Sequence, residues 1–152
     1  MKILDVLQKD AILPDLKSLD KKGVLEELAT PVASIAGVDL KDLVKVLMER
    51  ERLGSTGIGE GIGIPHGKFK DLESLVLCIG ISRKGIDFES MDGRPVHIFF
   101  LLVTPENSTG LHLKLLARIS RLLKNDLFRD KLLAAGDRSE VMDTIKSEDE
   151  EF

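Results

Sequence analysis

Gly57-Ile58-Gly59-Glu60-Gly61-Ile62-Gly63-Ile64-Pro65-His66-Gly67-Lys68 is the stretch on which the reading of this chain turns. Its glycines alternate from Gly57 to Gly63. An extended conformation would gather them on one face and place Ile58, Glu60, Ile62 and Ile64 on the other. Glycine weakens a strand interior and marks places where a ligand or another backbone comes close. Pro65 biases Ile64 to extended geometry and fixes its own φ, so His66 is carried on a stiffened backbone. A stiff, uncrowded imidazole is what a phosphoryl-accepting nucleophile requires. On the same alternation Glu60 projects among isoleucines and needs a partner, an arginine or a histidine N–H.

Working outward, the N-terminal side reads as helical. A short turn over Ile3 to Leu7 precedes a strand around Ala11 to Leu16. Ser18 or Asp20 caps a helix towards Ala36, with Leu25, Leu28 and Val32 at helical spacing and Pro31 expected to kink or divide it. Asp39 caps a second helix with Leu40, Leu43, Val44 and Leu47 on one face and Gly54 as its stop. Beyond the glycine-rich run come two strands, Leu75 to Ser82 and Val96 to Val103, with turn signals around a shorter one at Ile86 to Phe88. The unbroken apolar run Ile98 to Val103 predicts a central strand buried on both faces. Thr109 caps the clearest helix, 109 to 124, and puts His112 in its first turn. Helices over Asp126 to Ala135 and Glu140 to Ile145 follow, and the acidic run Glu148 to Glu151 is expected to be disordered. Strands between two sets of helices predict an α/β sandwich: a mixed β-sheet flanked by helices on both sides.

With 152 residues, 43% hydrophobic and 32% charged, the chain suits one domain with a conventional core. A net charge of −4 argues against generic nucleic-acid binding. No segment approaches the ~20 apolar residues of a membrane span, and the N-terminus lacks the apolar run of a signal peptide, so the cytoplasm is expected. The lone Cys78 lies in an apolar run and reads as a buried structural thiol.

A glycine-rich loop raises the question of a nucleotide, but neither G-x-G-x-x-G nor G-x-x-x-x-G-K-[ST] is present. His66, His97 and His112 lack metal-ligand spacing, and there is no second cysteine to help them. His97 opens an apolar strand and reads as a structural, hydrogen-bonded residue. His112 differs: at a helix N-terminus the dipole disfavours imidazolium, which leaves a neutral ring able to donate one hydrogen bond. Arg50 ends the second helix, a favourable helix-end placement, just before the loop that leads to His66.

These residues resemble a known family. Leu53-Gly54-Ser55-Thr56-Gly57-Ile58-Gly59, Ile62-Gly63-Ile64-Pro65-His66-Gly67-Lys68, Asp92-Gly93-Arg94-Pro95-Val96, Phe100-Leu101-Leu102-Val103-Thr104-Pro105-Glu106 and His112-Leu113 with Leu115-Leu116-Ala117 carry the likeness. The chain, from about Ile3 to Ile145, resembles the enzyme IIA domains of the bacterial phosphoenolpyruvate-dependent sugar phosphotransferase system. The class is the fructose–mannitol one, which includes nitrogen-regulatory IIA paralogues. The resemblance implies a IIA domain over 1–146 followed by an acidic tail, 147–152. It implies a phosphoryl group carried on His66, assisted by Arg50, Glu60 and His112, with no cofactor and no metal. The implied partners are an HPr-type phosphocarrier as donor and a IIB domain, on the way to a sugar, as acceptor. In the nitrogen-regulatory branch a regulatory target protein takes the place of the IIB domain. Gly63 departs from the family, which usually has alanine there.

Overall fold

The computed structural model describes residues 2–151. Its sheet is built on the two apolar runs. β5 (Val76–Ile86) and β6 (Val96–Pro105) pair antiparallel, from Val76 opposite Val103 to Ile81 opposite Ile98. Leu77, Ile79, Ile81, Ile98, Phe100 and Leu102 turn to one core, and Val76, Cys78, Phe99, Leu101 and Val103 to the other. Burial on both faces is why these strands read as continuous apolar runs rather than alternating ones. It also raises the Cys78 thiol pKa, as fits a structural thiol.

The remaining strands make the sheet mixed. β1 (Leu7–Leu13) runs parallel to β5. It starts at Leu7 rather than Ala11, and it ends at Leu13 rather than Leu16 because Pro14 has no N–H with which to continue a ladder. Along the other edge of β6 lie β3 (Ile62–Gly63) and then β4 (His66–Phe69), both parallel to it, with β2 (Gly57–Gly59) antiparallel to β3 outside. Two helices, α1 (Lys21–Ala36) and α2 (Leu40–Arg52), cover one face of the sheet. Three others, α3 (Thr109–Leu123), α4 (Asp126–Ala134) and α5 (Arg138–Glu151), cover the opposite face. Helices on both sides of a mixed sheet is the expected architecture.

Local chemistry sets the helix ends. Asp20 accepts Gly23 N–H at 2.7 Å and Asp39 accepts Asp42 N–H at 3.0 Å, so both N-caps are as expected. α1 passes through Pro31 undivided. Its apolar face, including Leu28 and Val32, sits on the sheet, and burial of that face overrides the local cost of proline. The N-cap of α3 is Ser108 rather than Thr109.

Two expectations fail in an informative way. The glycine-rich run is not one strand but a hairpin, with Glu60 (φ 57°) and Gly61 (φ 78°) forming a tight turn between β2 and β3. Both central residues have positive φ, as a type I′ hairpin turn demands. Glu60 is therefore exposed at a tip and does not project among isoleucines. The second failure is the acidic tail, because α5 continues to Glu151 and Asp149 is fully buried. The Asp149 carboxylate accepts the N–H groups of Ile3 and Leu4 at 3.2 and 3.1 Å and Arg118 Nε–H at 2.8 Å. A charged residue is tolerated there because a cation and two backbone donors satisfy it.

Asp149→Ala should therefore destabilise the protein by about 3 kcal/mol, the scale for removing one partner of a buried ion pair. Denaturant unfolding checks this. An unchanged midpoint would mean that the C-terminal turn contributes nothing to the fold.

Candidate functional site

The site begins with backbone geometry. Residues 62 to 69 run along one edge of β6, and Pro65 breaks the run into β3 and β4. Ile64 N–H leaves the ladder for Thr56 carbonyl at 3.0 Å, while Leu102 N–H donates to Pro65 carbonyl at 3.0 Å and resumes it. His66 then pairs with Leu102, at the start of β4. Its ring turns back on the break, and Nδ1 lies 2.8 Å from Ile64 carbonyl. A carbonyl only accepts, so Nδ1 carries the proton and a neutral ring must keep its lone pair on Nε2. Of the two acceptors open to this ring from sequence, a backbone carbonyl or Glu60, the structure uses the carbonyl.

His112 meets this ring. The two imidazole centroids are 5.4 Å apart at 64°, an edge contact between the start of β4 and the first turn of α3. His112 is buried, and its Nδ1 lies 3.2 Å from the Thr104 hydroxyl. Burial holds its pKa below the ordinary imidazole value, reinforced by the nearby positive charges of His66 and Lys68. The neutral state expected from helix position is thus favoured, with desolvation as the leading cause.

Arg50 and Glu60 are engaged elsewhere. Arg50 Nη1–H donates to Gly54 carbonyl at 2.9 Å, bracing the turn after α2. Glu60 pairs with Arg129 of α4, Oε2 to Nη2 at 3.1 Å. An arginine is thus the partner of Glu60, from the helix layer that also carries His112. Two of the glycines sit where neighbours come close. A Cβ on Gly57 would fall 2.9 Å from Ser90 Cβ, and one on Gly63 would fall 3.2 Å from the Phe99 ring. Close packing explains both positions, and the alanine usual at Gly63 would need Phe99 to give slightly. His97 donates Nδ1–H to Ser82 carbonyl at 2.9 Å, the structural role expected of it.

Several residues that hold the site escaped the sequence reading. Glu51 is buried one turn past Leu47, accepts Thr56 N–H at 3.2 Å and the Thr56 hydroxyl, and lies 3.3 Å from Lys21 Nζ. This network ties the end of α2 to the segment leading into β2. Its signal was a charge on the apolar stripe Leu43, Leu47, 51. Asp92 accepts Glu60 N–H at 2.9 Å and Arg94 N–H at 3.0 Å. Those donors lower its carboxyl pKa and pin the hairpin tip. Among the described residues, no group of three His, Cys, Asp or Glu side chains is placed to share a metal ion.

The lowered His112 pKa carries a pH dependence. An unfolded chain binds a proton near pH 6.5 and the folded one at lower pH, so this group's share of stability is full above about pH 6.5. It is lost as pH falls through the folded pKa. Histidine-resolved NMR titration should put the His112 midpoint below about 6.5. A midpoint above that value would contradict a neutral, buried ring.

The geometry has counterparts. Residues 5–148 match the family described as phosphoenolpyruvate-dependent sugar phosphotransferase system, EIIA 2. A nitrogen regulatory protein of Bradyrhizobium diazoefficiens is 43% identical over 145 residues, 95% of each chain. The fructose-specific EIIABC component of Bacillus subtilis is 35% identical over 150 residues, 98% of this chain but 24% of that longer protein. The crystal structure of the nitrogen regulatory protein IIA-Ntr from Neisseria meningitidis superposes with a TM-score of 0.88 at 30% identity, covering 93% of this chain and 97% of that one. Family match, relatives and fold agree over nearly the whole length: this chain belongs to the EIIA 2 family of the phosphotransferase system, the fructose–mannitol class.

Proposed function

We propose that this protein is a phosphocarrier whose His66 Nε2 accepts a phosphoryl group from an HPr-type donor, and that its phosphorylation state governs binding to regulatory target proteins. One observation carries the chemical half. The Nδ1–H donated to Ile64 carbonyl leaves Nε2 as the nucleophile, beside a His112 that burial keeps neutral. In the transfer step the donor's N–P bond breaks as the bond from His66 Nε2 to phosphorus forms, and Nδ1 keeps its proton. Such a transfer passes through a loose transition state, so positioning and charge stabilisation supply most of the catalysis. His112 offers one N–H to the equatorial oxygens. Arg50 adds its guanidinium fork by exchanging Gly54 carbonyl for phosphoryl oxygens. Glu60 contributes through the tip of the hairpin, where it is paired to Arg129. The cytoplasm is the expected setting, and no helix among the described residues is long and apolar enough to cross a membrane.

The regulatory half rests on the 43% identity to a nitrogen regulatory protein of matching length, which outranks the transport role. Transfer to a IIB domain for sugar uptake is the second reading, favoured by the 35% identity to a fructose-specific component. In either case docking must be transient, with an interface towards or below about 1,200 Å². Exposed apolar side chains suited to it are Leu53 (85% exposed), Met91 (81%) and Leu113 (62%), with Ile58 on β2.

A phosphorylated HPr-type carrier should label the protein once, in an acid-labile, base-stable form, and His66→Ala should abolish the label. Full labelling of that variant would sink the assignment, and labelling on His112 would reverse the roles. Arg50→Ala and His112→Ala should fold normally and slow transfer by about ten- to a thousand-fold, with Arg50→Lys rescuing only partly. Wild-type rates in both alanine variants would return these side chains to structural roles. The branch is decided separately, by mixing the phosphorylated protein with a purified fructose-type IIB domain. Retention of the phosphoryl group supports regulation, and stoichiometric discharge to IIB establishes the transport reading instead.

A further inference from the structure

We infer that Thr104 is a positioning residue for His112: its buried hydroxyl donates to His112 Nδ1 and so fixes the neutral ring's proton on Nε2, the nitrogen left to face the phosphoryl group on His66. The inference rests on the phosphocarrier reading only for the identity of that group. The geometry stands by itself.

Thr104 is the penultimate residue of β6, paired with Lys68 and two residues beyond the Leu102–His66 pair. By strand alternation it shares the face of Leu102, the face covered by α3. Every neighbour before it in Phe99-Phe100-Leu101-Leu102-Val103 is apolar and buried, and Thr104 itself is fully buried. Valine would fill the same space, so a hydroxyl here needs a partner to offset its desolvation. That partner is His112 Nδ1 at 3.2 Å.

A hydroxyl can donate or accept, so the direction of the bond must be argued. If His112 carried its proton on Nδ1, Thr104 would accept and Nε2 would be bare. The bare lone pair would then meet phosphoryl oxygens, lone pair against lone pair. If Thr104 donates, Nε2 carries the proton and becomes a donor to the same oxygens. The doubly protonated ring, which would donate from both nitrogens, is disfavoured by burial and by the charges of His66 and Lys68. With Nδ1 engaged, Nε2 is the ring nitrogen left free, on a ring whose centroid lies 5.4 Å from that of His66. The arrangement mirrors His66, where a backbone carbonyl fixes the opposite tautomer. One imidazole is held as a nucleophile and the other as a donor.

The test combines tautomer and rate on the full chain. Ring ¹⁵N spectra of the wild type at pH 7.5 should show His112 protonated on Nε2, and Thr104→Val should erode that preference while Thr104→Ser keeps it. With a phosphorylated HPr-type carrier, Thr104→Val should slow transfer about ten-fold, less than loss of the donor itself. Thr104→Ser should restore the rate, and in a His112→Ala background Thr104→Val should add nothing. An Nδ1-protonated His112 in the wild type overturns the proposal whether or not any variant folds. So does a Thr104→Val effect of equal size in the His112→Ala background. If the wild type is not phosphorylated at all, the phosphocarrier reading fails and the ring spectra still decide Thr104.

Discussion

The site depends on how one strand edge is shared. β6 is buried on both faces, so its position is set by the two cores and cannot drift. Its free edge must be paired, and the chain pairs it with two short parallel segments joined at Pro65. Proline cannot donate to a ladder, so the break falls there and nowhere else in the run. The break turns Ile64 N–H outward to Thr56 and leaves Ile64 carbonyl for the His66 ring. A backbone irregularity thus selects the tautomer of His66. The same strand, two residues on, supplies the hydroxyl that meets His112. Both imidazoles are oriented from β6, so their relation to one another is as rigid as the sheet.

What local sequence could show was the chemistry carried by short range. Pro65 ahead of His66, the caps at Asp20 and Asp39 and the two-sided strands follow from residue type and spacing, and they stand in the structure. What it hid depended on distant partners. Period-two glycines imitate a strand, yet Gly59 and Gly61 have positive φ, and Glu60 joins them there. Glutamate is an unusual turn residue, and the Asp92 carboxylate that accepts its N–H comes from a loop 32 positions away. The acidic end reads as a solvated tail until Arg118 and the N-terminal backbone are brought to Asp149. Glu60 called for an arginine or a histidine and has Arg129, but that the arginine comes from α4 was not legible, nor was the turn of Arg50 back to Gly54 carbonyl.

Charge management explains why one histidine is buried and its neighbour is not. His66 is half-buried, whereas His112 is nearly enclosed. On the proposed function, a phosphoryl group delivered to His66 by another protein would add roughly −1.5 to −2 charges at this point. A cationic His112 would bind that charge strongly and hold it, which suits a store better than a carrier. A neutral donor stabilises the spread charge of the transition state without committing a full ion pair to the phosphorylated state. On the proposed function Arg50 would be the movable cation, and in this structure it rests on Gly54 carbonyl.

This chemistry is common ground for transport and regulation, so the difference between them must lie at the surface. Salt screens charge over about 8 Å at physiological ionic strength. A partner that reads phosphorylation must therefore touch ground close to His66. The first turn of α3, whose His112 meets the His66 ring, is the natural candidate. The exposed Leu113 follows His112 there. On the proposed function, a target docked beside His66 would meet the same neighbouring side chains in both states and a new anion in one of them. Its affinity then changes sign with the charge it presents there: an acidic residue favours the unmodified state and an arginine the phosphorylated one. A single rigid site can in this way serve a IIB acceptor or a regulatory target, with the choice written in the partner.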